Sequence, residues 1–340
     1  FGTIDTWLLY RLTGGEQYLT DYTNACRTML FNIRKLEWDS ELLEMFGLKA
    51  LNLPKVVSSC AEFGGTDFAG QLDHTLPIGA MAGDSHAAAF GERCYSRGTA
   101  KATLGTGCSI LMNTGDELHP SVDGLIGTIC WSTSDTIVYG LEGAIVSCGS
   151  TLDWLQNQLG LFKDTDQIRE MAEEVASSEG VHLVPAFSGI GAPYWDMEAR
   201  GVISGLTFGT SKNHIVRAAL ESISFQIKLV IDTVKQATGI ELQELNADGG
   251  ISKNRFIVQQ LADLLEIRVR NLGLQDISAM GAALLAGLQA DIYQDLDDLD
   301  ELSGDEIIFN PNKQSDQIQN TYREWKKRVE LELHKRNRGK

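Results

Sequence analysis

One stretch limits the fold more than any other: Asp248-Gly249-Gly250-Ile251-Ser252-Lys253-Asn254-Arg255-Phe256. It lies between an alternating segment, 242–247, and an apolar-periodic one, 256–265, and so reads as strand, glycine turn, helix. Two adjacent glycines allow positive φ and let the backbone come close to a ligand. The helix that follows turns its free amides and positive dipole end toward the turn, where an anion is welcome. Ser252 is placed to cap that helix. Such a junction suits a nucleotide. It is equally the shape of a plain tight βα connection.

Length and charge narrow the possibilities. The chain has 340 residues, enough for two domains of ordinary size. At 43% hydrophobic and 22% charged residues it is globular, and no apolar run reaches the length of a membrane span. A net charge of -17 argues against a nucleic-acid partner. Small ligands are expected instead, and an anionic one needs local help from glycine loops or a metal. The six cysteines form no CxxC and no paired spacing. They read as reduced thiols in a cytoplasmic chain, mostly small core residues rather than metal ligands. The chain opens at Phe1 without a leader pattern and reads as part of a longer protein. A homo-oligomer is a possible partner state, and the sequence does not set the oligomeric state.

In chain order, residues 3–12 read as a helix, 21–24 as a polar connection and 40–46 as a second helix. Residues 64–74 are Gly/Asp-rich and read as an exposed loop. An apolar segment then ends at Gly83, Asp84 follows, and an Ala-rich helix begins. Asp84 suits two roles: an ordinary helix N-cap, or a carboxylate at a strand end that faces a cleft as a general base. Residues 100–104 and 108–112 alternate around Gly105-Thr106-Gly107. This hairpin turn offers amides and a hydroxyl to a phosphate, and also fits a plain glycine hairpin.

Two further strands are expected at 125–131 and 136–141, and a helix at 145–159 interrupted by Gly149. Residues 161–180 read as an acidic amphipathic helix with a solvated face. A strand at 181–185 precedes a loop at 187–205, and a long helix spans 214–236. A strand at 267–271 and a helix at 277–288 follow the glycine turn. That helix carries Ala279, Gly281, Ala282, Ala283, Ala286 and Gly287, small residues expected to pack tightly on a sheet. Residues 291–306 form an acidic surface run, and a charged helix closes the chain. Hairpin-linked strands followed by alternating strands and helices imply a mixed sheet with helices on both faces.

Several of these stretches together resemble the FGGY family of carbohydrate kinases. They are Phe1 to Leu8 with Asp21 to Ala25, Gly83-Asp84, Gly105-Thr106-Gly107-Cys108, Gly201 to Leu206 with His214-Ile215 and Ala218 to Glu221, Pro193 to Asp196 with Ala199-Arg200, and Asp248-Gly249-Gly250 with Asn254. The resemblance covers essentially the whole chain. It implies an α/β chain of actin-like ATPase (ribonuclease-H-like) domains closing around a cleft. Residues 1–92 would be the later part of the first domain, whose start is absent, and 93–340 the second, nucleotide-binding domain. It also implies ATP and Mg²⁺ as cofactors and a small polyol or sugar as substrate, most closely glycerol. Asp84 would be the catalytic base. Gly105, Thr106 and Gly107 would hold the transferring phosphate, the two glycines through their amides. Gly149, Asp153, Gly249, Gly250 and Asn254 would line the nucleotide site. A larger polyol or ketopentose kinase and a non-catalytic nucleotide-binding module are the alternatives.

Two positions depart from the glycerol-acting members. Ser85 stands where those carry Gln, and Ser109 where they carry Phe. Both would face the polyol, so the pocket is expected to be wider and more polar, with room for a four- or five-carbon substrate.

Overall fold

The computed structural model describes residues 1–119, 122, 124–273, 276–300, 302, 306–312 and 315–337. The first region builds small pieces: α1 (Ile4–Leu12), β1 (Leu19–Asp21), α2 (Tyr22–Ala25), β2 (Phe31–Asn32), β3 (Glu37–Trp38), α3 (Ser40–Met45), β4 (Lys55–Val57), β5 (Gly65–Thr66) and β6 (Leu76–Pro77). β1 and β4 pair in parallel, while β2–β3 and β5–β6 are antiparallel ribbons. Asp21 and Asp39 cap α2 and α3 by accepting amide hydrogen bonds from their first turns.

A helix, α4 (Asp84–Gly91), leads into the larger region. There follow β7 (Thr99–Leu104), β8 (Cys108–Gly115), β9 (Ile126–Ser132), β10 (Ile137–Ile145), α5 (Gly149–Asn157), α6 (Gln167–Glu173), β11 (His182–Val184), β12 (Val202–Ser204), α7 (Lys212–Thr238), β13 (Glu244–Asp248), α8 (Arg255–Leu265), β14 (Val269–Asn271), α9 (Ile277–Gln289), α10 (Leu296–Asp300), β15 (Ile307–Phe309) and α11 (Ser315–Asn337).

Among the described residues, seven strands form one sheet in the order β15-β14-β13-β7-β8-β10-β9. β13 runs parallel to β7 and β14, and the other pairs are antiparallel. The sheet is therefore mixed, as its sequence pattern requires. Strand alternation sends side chains to two separate cores. Ala100, Ala102, Leu104, Ile110 and Met112 pack with Ile223, Ile227 and Val230 of α7 and with Ile257 and Leu261 of α8. Leu111 points the other way and packs with Phe90 of α4 and Leu284 and Leu285 of α9. Helices thus cover both faces.

Several details differ from the sequence reading. Ile145 still pairs with Cys108 in the sheet, so the helix expected from 145 starts only at Gly149. The helix expected over 161–180 is α6 alone, and its Ile168, Met171 and Ala172 are buried rather than solvated. The acidic run at 291–306 contains α10, and β15 directly after it extends the sheet edge beside β14. The small residues of α9 meet a helix. A Cβ on Gly91 of α4 would lie 2.6 Å from the Ile277 carbonyl oxygen, and one on Gly281 would overlap the Ala87 carbonyl. Backbones approach this closely only where a side chain is missing. Gly281→Ala is expected to push α4 and α9 apart and to destabilise the fold by about 1–3 kcal/mol. Chemical denaturation checks this, and an unchanged midpoint would contradict the close packing.

Candidate active site

The two glycine turns meet at the carboxyl ends of β7 and β13. Register brings them together, because Asp248 pairs with Thr103, one residue before Leu104. Gly249 takes φ of +87°, and a Cβ there would sit 2.5 Å from the Leu104 carbonyl oxygen. Gly250 is different: its φ is not positive, and a Cβ built on it meets nothing within 4 Å. One glycine is required by backbone contact and the other faces open space.

The turn after β7 is stitched to the start of α5. The Gly105 carbonyl accepts from Gly149 N at 2.9 Å, and the Thr106 carbonyl accepts from Cys148 N at 3.0 Å and from Ser150 N at 3.1 Å. A Cβ on Gly149 would stand 2.7 Å from the Gly105 oxygen. These bonds satisfy amides at the helix start that would otherwise be orphaned. The Gly105 amide itself donates to the Gly107 carbonyl at 2.9 Å. It is committed within the turn, contrary to the expectation that it faces a phosphate. The exposed Thr106 side chain is the part of the turn that reaches outward.

The segment after Gly249 also differs from expectation. Gly250–Lys253 is a single 3₁₀ turn, and α8 starts after it. Ser252 does not cap α8. Its hydroxyl donates to the Gly249 carbonyl at 2.8 Å and accepts from Asn271 Nδ2 at 3.0 Å, which fixes the turn. The cap is Asn254, whose Oδ1 accepts from Phe256 N at 3.0 Å.

These pieces enclose a cavity of about 650 Å³. Gly105, Thr106, Gly149, Asp153, Gly250 and Asn254 line it, so six expected site residues share one space. Gly107 and Gly249 lie behind the lining and shape it through the backbone. Sequence reasoning missed the opposite wall. Ile168, Arg169 and Glu170 of α6, with Thr165 and Asp166 before it, face the same cavity. Leu152, Ile168 and Ile251 give it an apolar surface for a flat group, while Lys253 and Arg169 bring positive charge. The signal was the apolar spacing Ile168-Met171-Ala172 inside an otherwise acidic segment.

Asp84, Ser85 and Ser109 lie outside that lining. Asp84 is the first residue of α4 and is exposed; Gly83 occupies the N-cap position. Among the described residues the Asp84 carboxylate makes no cap bond and accepts from Ser85 N alone, at 2.7 Å. The capping role is therefore not what the residue does here. The Ser85 hydroxyl is buried without a hydrogen-bond partner. Ser109 Oγ donates to Glu142 Oε1 at 3.4 Å, and Glu142 pairs with Arg27 at 2.7 Å. That ion pair links the first region to β10 and was not anticipated.

A charged cluster lies under the glycine turns, on the sheet face opposite α7. Lys101 is only 2% exposed, and its Nζ donates to Thr103 Oγ1 at 2.8 Å. Burial pushes the Asp248 carboxyl up, while a hydrogen bond from Thr103 and the Lys101 ammonium pull it back. Glu92, equally buried, is pushed well above the usual carboxylate range by burial and by Asp248, against Lys101. One ammonium facing two carboxylates in a low-dielectric interior favours one of them neutral.

Two sequence profiles match this chain: the N-terminal domain of the FGGY family of carbohydrate kinases over residues 1–91, and the C-terminal domain of the same family over 100–290. The chain belongs to the FGGY family of carbohydrate kinases. A glycerol kinase of Francisella tularensis subsp. holarctica (strain FTNF002-00 / FTA) is 44% identical over 334 residues, covering 97% of this chain and 66% of that protein. A glycerol kinase of Alkaliphilus metalliredigens (strain QYMF) is 42% identical, covering 98% of this chain and 67% of that protein. The chain thus spans just under two thirds of the Francisella relative. Among solved structures, Plasmodium falciparum glycerol kinase with ADP superposes with a TM-score of 0.91 at 36% identity, over 98% of this chain and 66% of that one. Xylulose kinase from Lactobacillus acidophilus shares the fold, with a TM-score of 0.86 at 24% identity over 97% of this chain and 67% of its own. The α/β architecture is the actin-like ATPase fold of FGGY kinases.

The Glu92 environment has a measurable consequence. A carboxyl raised in the folded state holds its proton after the unfolded chain has lost it. Its contribution to stability therefore falls as pH rises above the ordinary glutamate value of 4.5. Glu92→Gln keeps a neutral group of the same shape. Its stability relative to the unsubstituted chain is expected to grow as pH rises above the ordinary glutamate value of 4.5 in urea titrations. A pH-independent difference would mean that Glu92 ionises normally.

Proposed function

We propose that this chain forms the nucleotide-binding side and part of the acceptor side of an ATP-dependent kinase that phosphorylates a hydroxyl of glycerol. The observation that carries the reading is the shared cavity: the turn after β7, the start of α5 and the turn after β13 all open into it. The glycerol kinases above, at 42% to 44% identity over nearly all of this chain, support glycerol as the acceptor.

In this reading the adenine lies against Leu152, Ile168 and Ile251, with Asn254 Nδ2 and Asp153 available to its polar groups. Gly250, lacking a side chain, lets the phosphates pass close to the backbone. Thr106 hydrogen-bonds the transferring phosphoryl, and Lys253 and Arg169 stabilise phosphate charge. Positioning and charge stabilisation supply most of the catalysis in phosphoryl transfer. Asp84 takes the proton from the attacking hydroxyl as the oxygen–phosphorus bond forms.

Among the described residues no three His, Cys, Asp or Glu side chains gather as a metal cage. Mg²⁺, the expected ion, is in kinase sites held largely by phosphate oxygens and water. Asp84, exposed beside the acceptor region, is the carboxylate we assign to reach it. When bound, Mg²⁺ neutralises charge on the phosphates. The reduced cysteines fit a cytoplasmic setting.

A second reading has its own observation. The unpartnered Ser85 hydroxyl, and a Ser109 hydroxyl that donates to Glu142 and keeps its lone pairs, give the acceptor side hydrogen-bonding capacity, and a site that bonds a substrate hydroxyl discriminates in its favour. A tetritol or pentitol would then be used as well as glycerol. Coupled ADP-release assays on the full-length protein with three-, four- and five-carbon polyols decide between the two. A higher kcat/KM for glycerol supports the first reading, and equal or higher values for larger polyols support the second.

Two substitutions test the assigned roles. Asp84→Asn keeps the shape but loses the base, so kcat is expected to fall by ~10²–10⁴ with ATP affinity retained; undiminished turnover would remove Asp84 from the chemistry. Gly250→Val adds a side chain whose Cβ meets no other atom within 4 Å. It should weaken ATP binding at least ~10-fold, since it projects where the phosphates approach, while thermal stability stays near that of the parent. Calorimetry showing unaltered ATP affinity would take this turn out of the site.

A further inference from the structure

Asp21 is fully buried and receives five hydrogen bonds. Oδ2 accepts from Thr23 N at 2.9 Å, Thr23 Oγ1 at 2.7 Å and Ser59 Oγ at 2.7 Å. Oδ1 accepts from Asn24 N at 3.0 Å and Asn24 Nδ2 at 2.8 Å. This is far more than capping the four-residue α2 needs. The surplus leads toward α4. Thr23 Oγ1 gives its proton to Asp21 and turns a lone pair to Gly83 N, accepting at 2.8 Å across 60 residues of chain. Gly83 is the N-cap of α4, and its carbonyl accepts from His86 N at 3.0 Å and Ala87 N at 2.8 Å. Asp84 is the next residue.

The same carboxylate is anchored on the other side. Ser59 N donates to Ser132 Oγ at 2.9 Å, and the two hydroxyls lie 3.2 Å apart. Ser132 ends β9 of the large sheet. A second tie runs parallel to this one: His86 Nε2 lies 3.1 Å from Thr128 Oγ1, also on β9. The line Ser132–Ser59–Asp21–Thr23–Gly83 therefore registers the start of α4 against edge strand β9 of the sheet whose central strands β7 and β13 end at the cavity.

We propose that Asp21 and Thr23 are positioning residues for Asp84, setting the place and direction of its carboxylate relative to the sheet. This rests on the reading of Asp84 as the base. An ionised Asp21 can only accept, so the Thr23 hydroxyl is fixed as donor to Asp21 and acceptor from Gly83. One hydroxyl, that of Thr23, joins the buried carboxylate to the residue before the base.

The test uses the full-length protein and the variants Thr23→Val, Thr23→Ser, Ser59→Ala and Asp84→Asn. Thr23→Val keeps the shape and removes the hydroxyl. Its kcat is expected to fall by about 10²-fold, the scale on which a displacement near 1 Å acts. ATP affinity should stay unchanged, and Thr23→Ser should restore most of the rate. Ser59→Ala, one link further away, should lower kcat less and leave ATP affinity alone. Wild-type kcat in Thr23→Val overturns the proposal, as does a parallel loss of kcat, ATP affinity and melting temperature that Thr23→Ser does not rescue. If Thr23→Val fails to fold, undiminished kcat in Ser59→Ala overturns it instead. Full turnover in Asp84→Asn removes the base and the proposal together. Loss of turnover in Asp84→Asn with full turnover in Thr23→Val removes the proposal alone.

Discussion

The structure depends on backbone packed against backbone at the end of two parallel strands. Gly249 lies on the carbonyl of Leu104, and Gly149 on the carbonyl of Gly105. Neither contact tolerates a Cβ; the first follows from the register that sets Asp248 beside Thr103, and the second from the pairing of Ile145 with Cys108. Once those backbones touch, the turn after β7, the start of α5 and the turn after β13 must border the same space. That space lies beyond the carboxyl ends of the strands, where open α/β sheets usually hold ligands. The cavity is thus a consequence of sheet register and missing side chains rather than of particular polar groups.

The two faces of the sheet contribute differently. The face toward α7 and α8 is apolar and supplies burial. The other carries Lys101, Thr103, Asn246, Asp248 and Glu92 beneath the turns, alongside the core that α4 and α9 form. Buried ions are a poor source of net stability but strongly resist loss of one partner. Their position directly under the glycine turns ties the strand ends to one arrangement. The close α4–α9 crossing and the Asp21 line then hold the first residue of α4 against the same sheet.

Much of this was legible in the sequence because it rests on glycine and on alternation. The strand–Gly-Gly–turn–helix junction, the turn at 105–107 and the mixed sheet all follow from local pattern. What escaped had a nonlocal cause. Ser252 and Asn254 are both good caps, and only Asn271, reaching from β14, diverts Ser252 to the turn. The Gly105 amide looks available until the turn closes on Gly107. The acidic residues around α6 hid three buried apolar ones, and so hid a wall of the cavity. Nothing nearby in sequence marks Glu92 and Lys101 as buried together. Asp21 was visible only as part of a family-like stretch; its link to Gly83 spans 60 residues.

The proposed nucleotide site draws on three separated backbone segments. Amide hydrogen exchange of this chain with and without saturating ATP tests it directly. Slowed exchange is expected at 105–107, 149–153 and 250–254 together, with α3 unaffected. Protection of only one of these segments, or none, would contradict it.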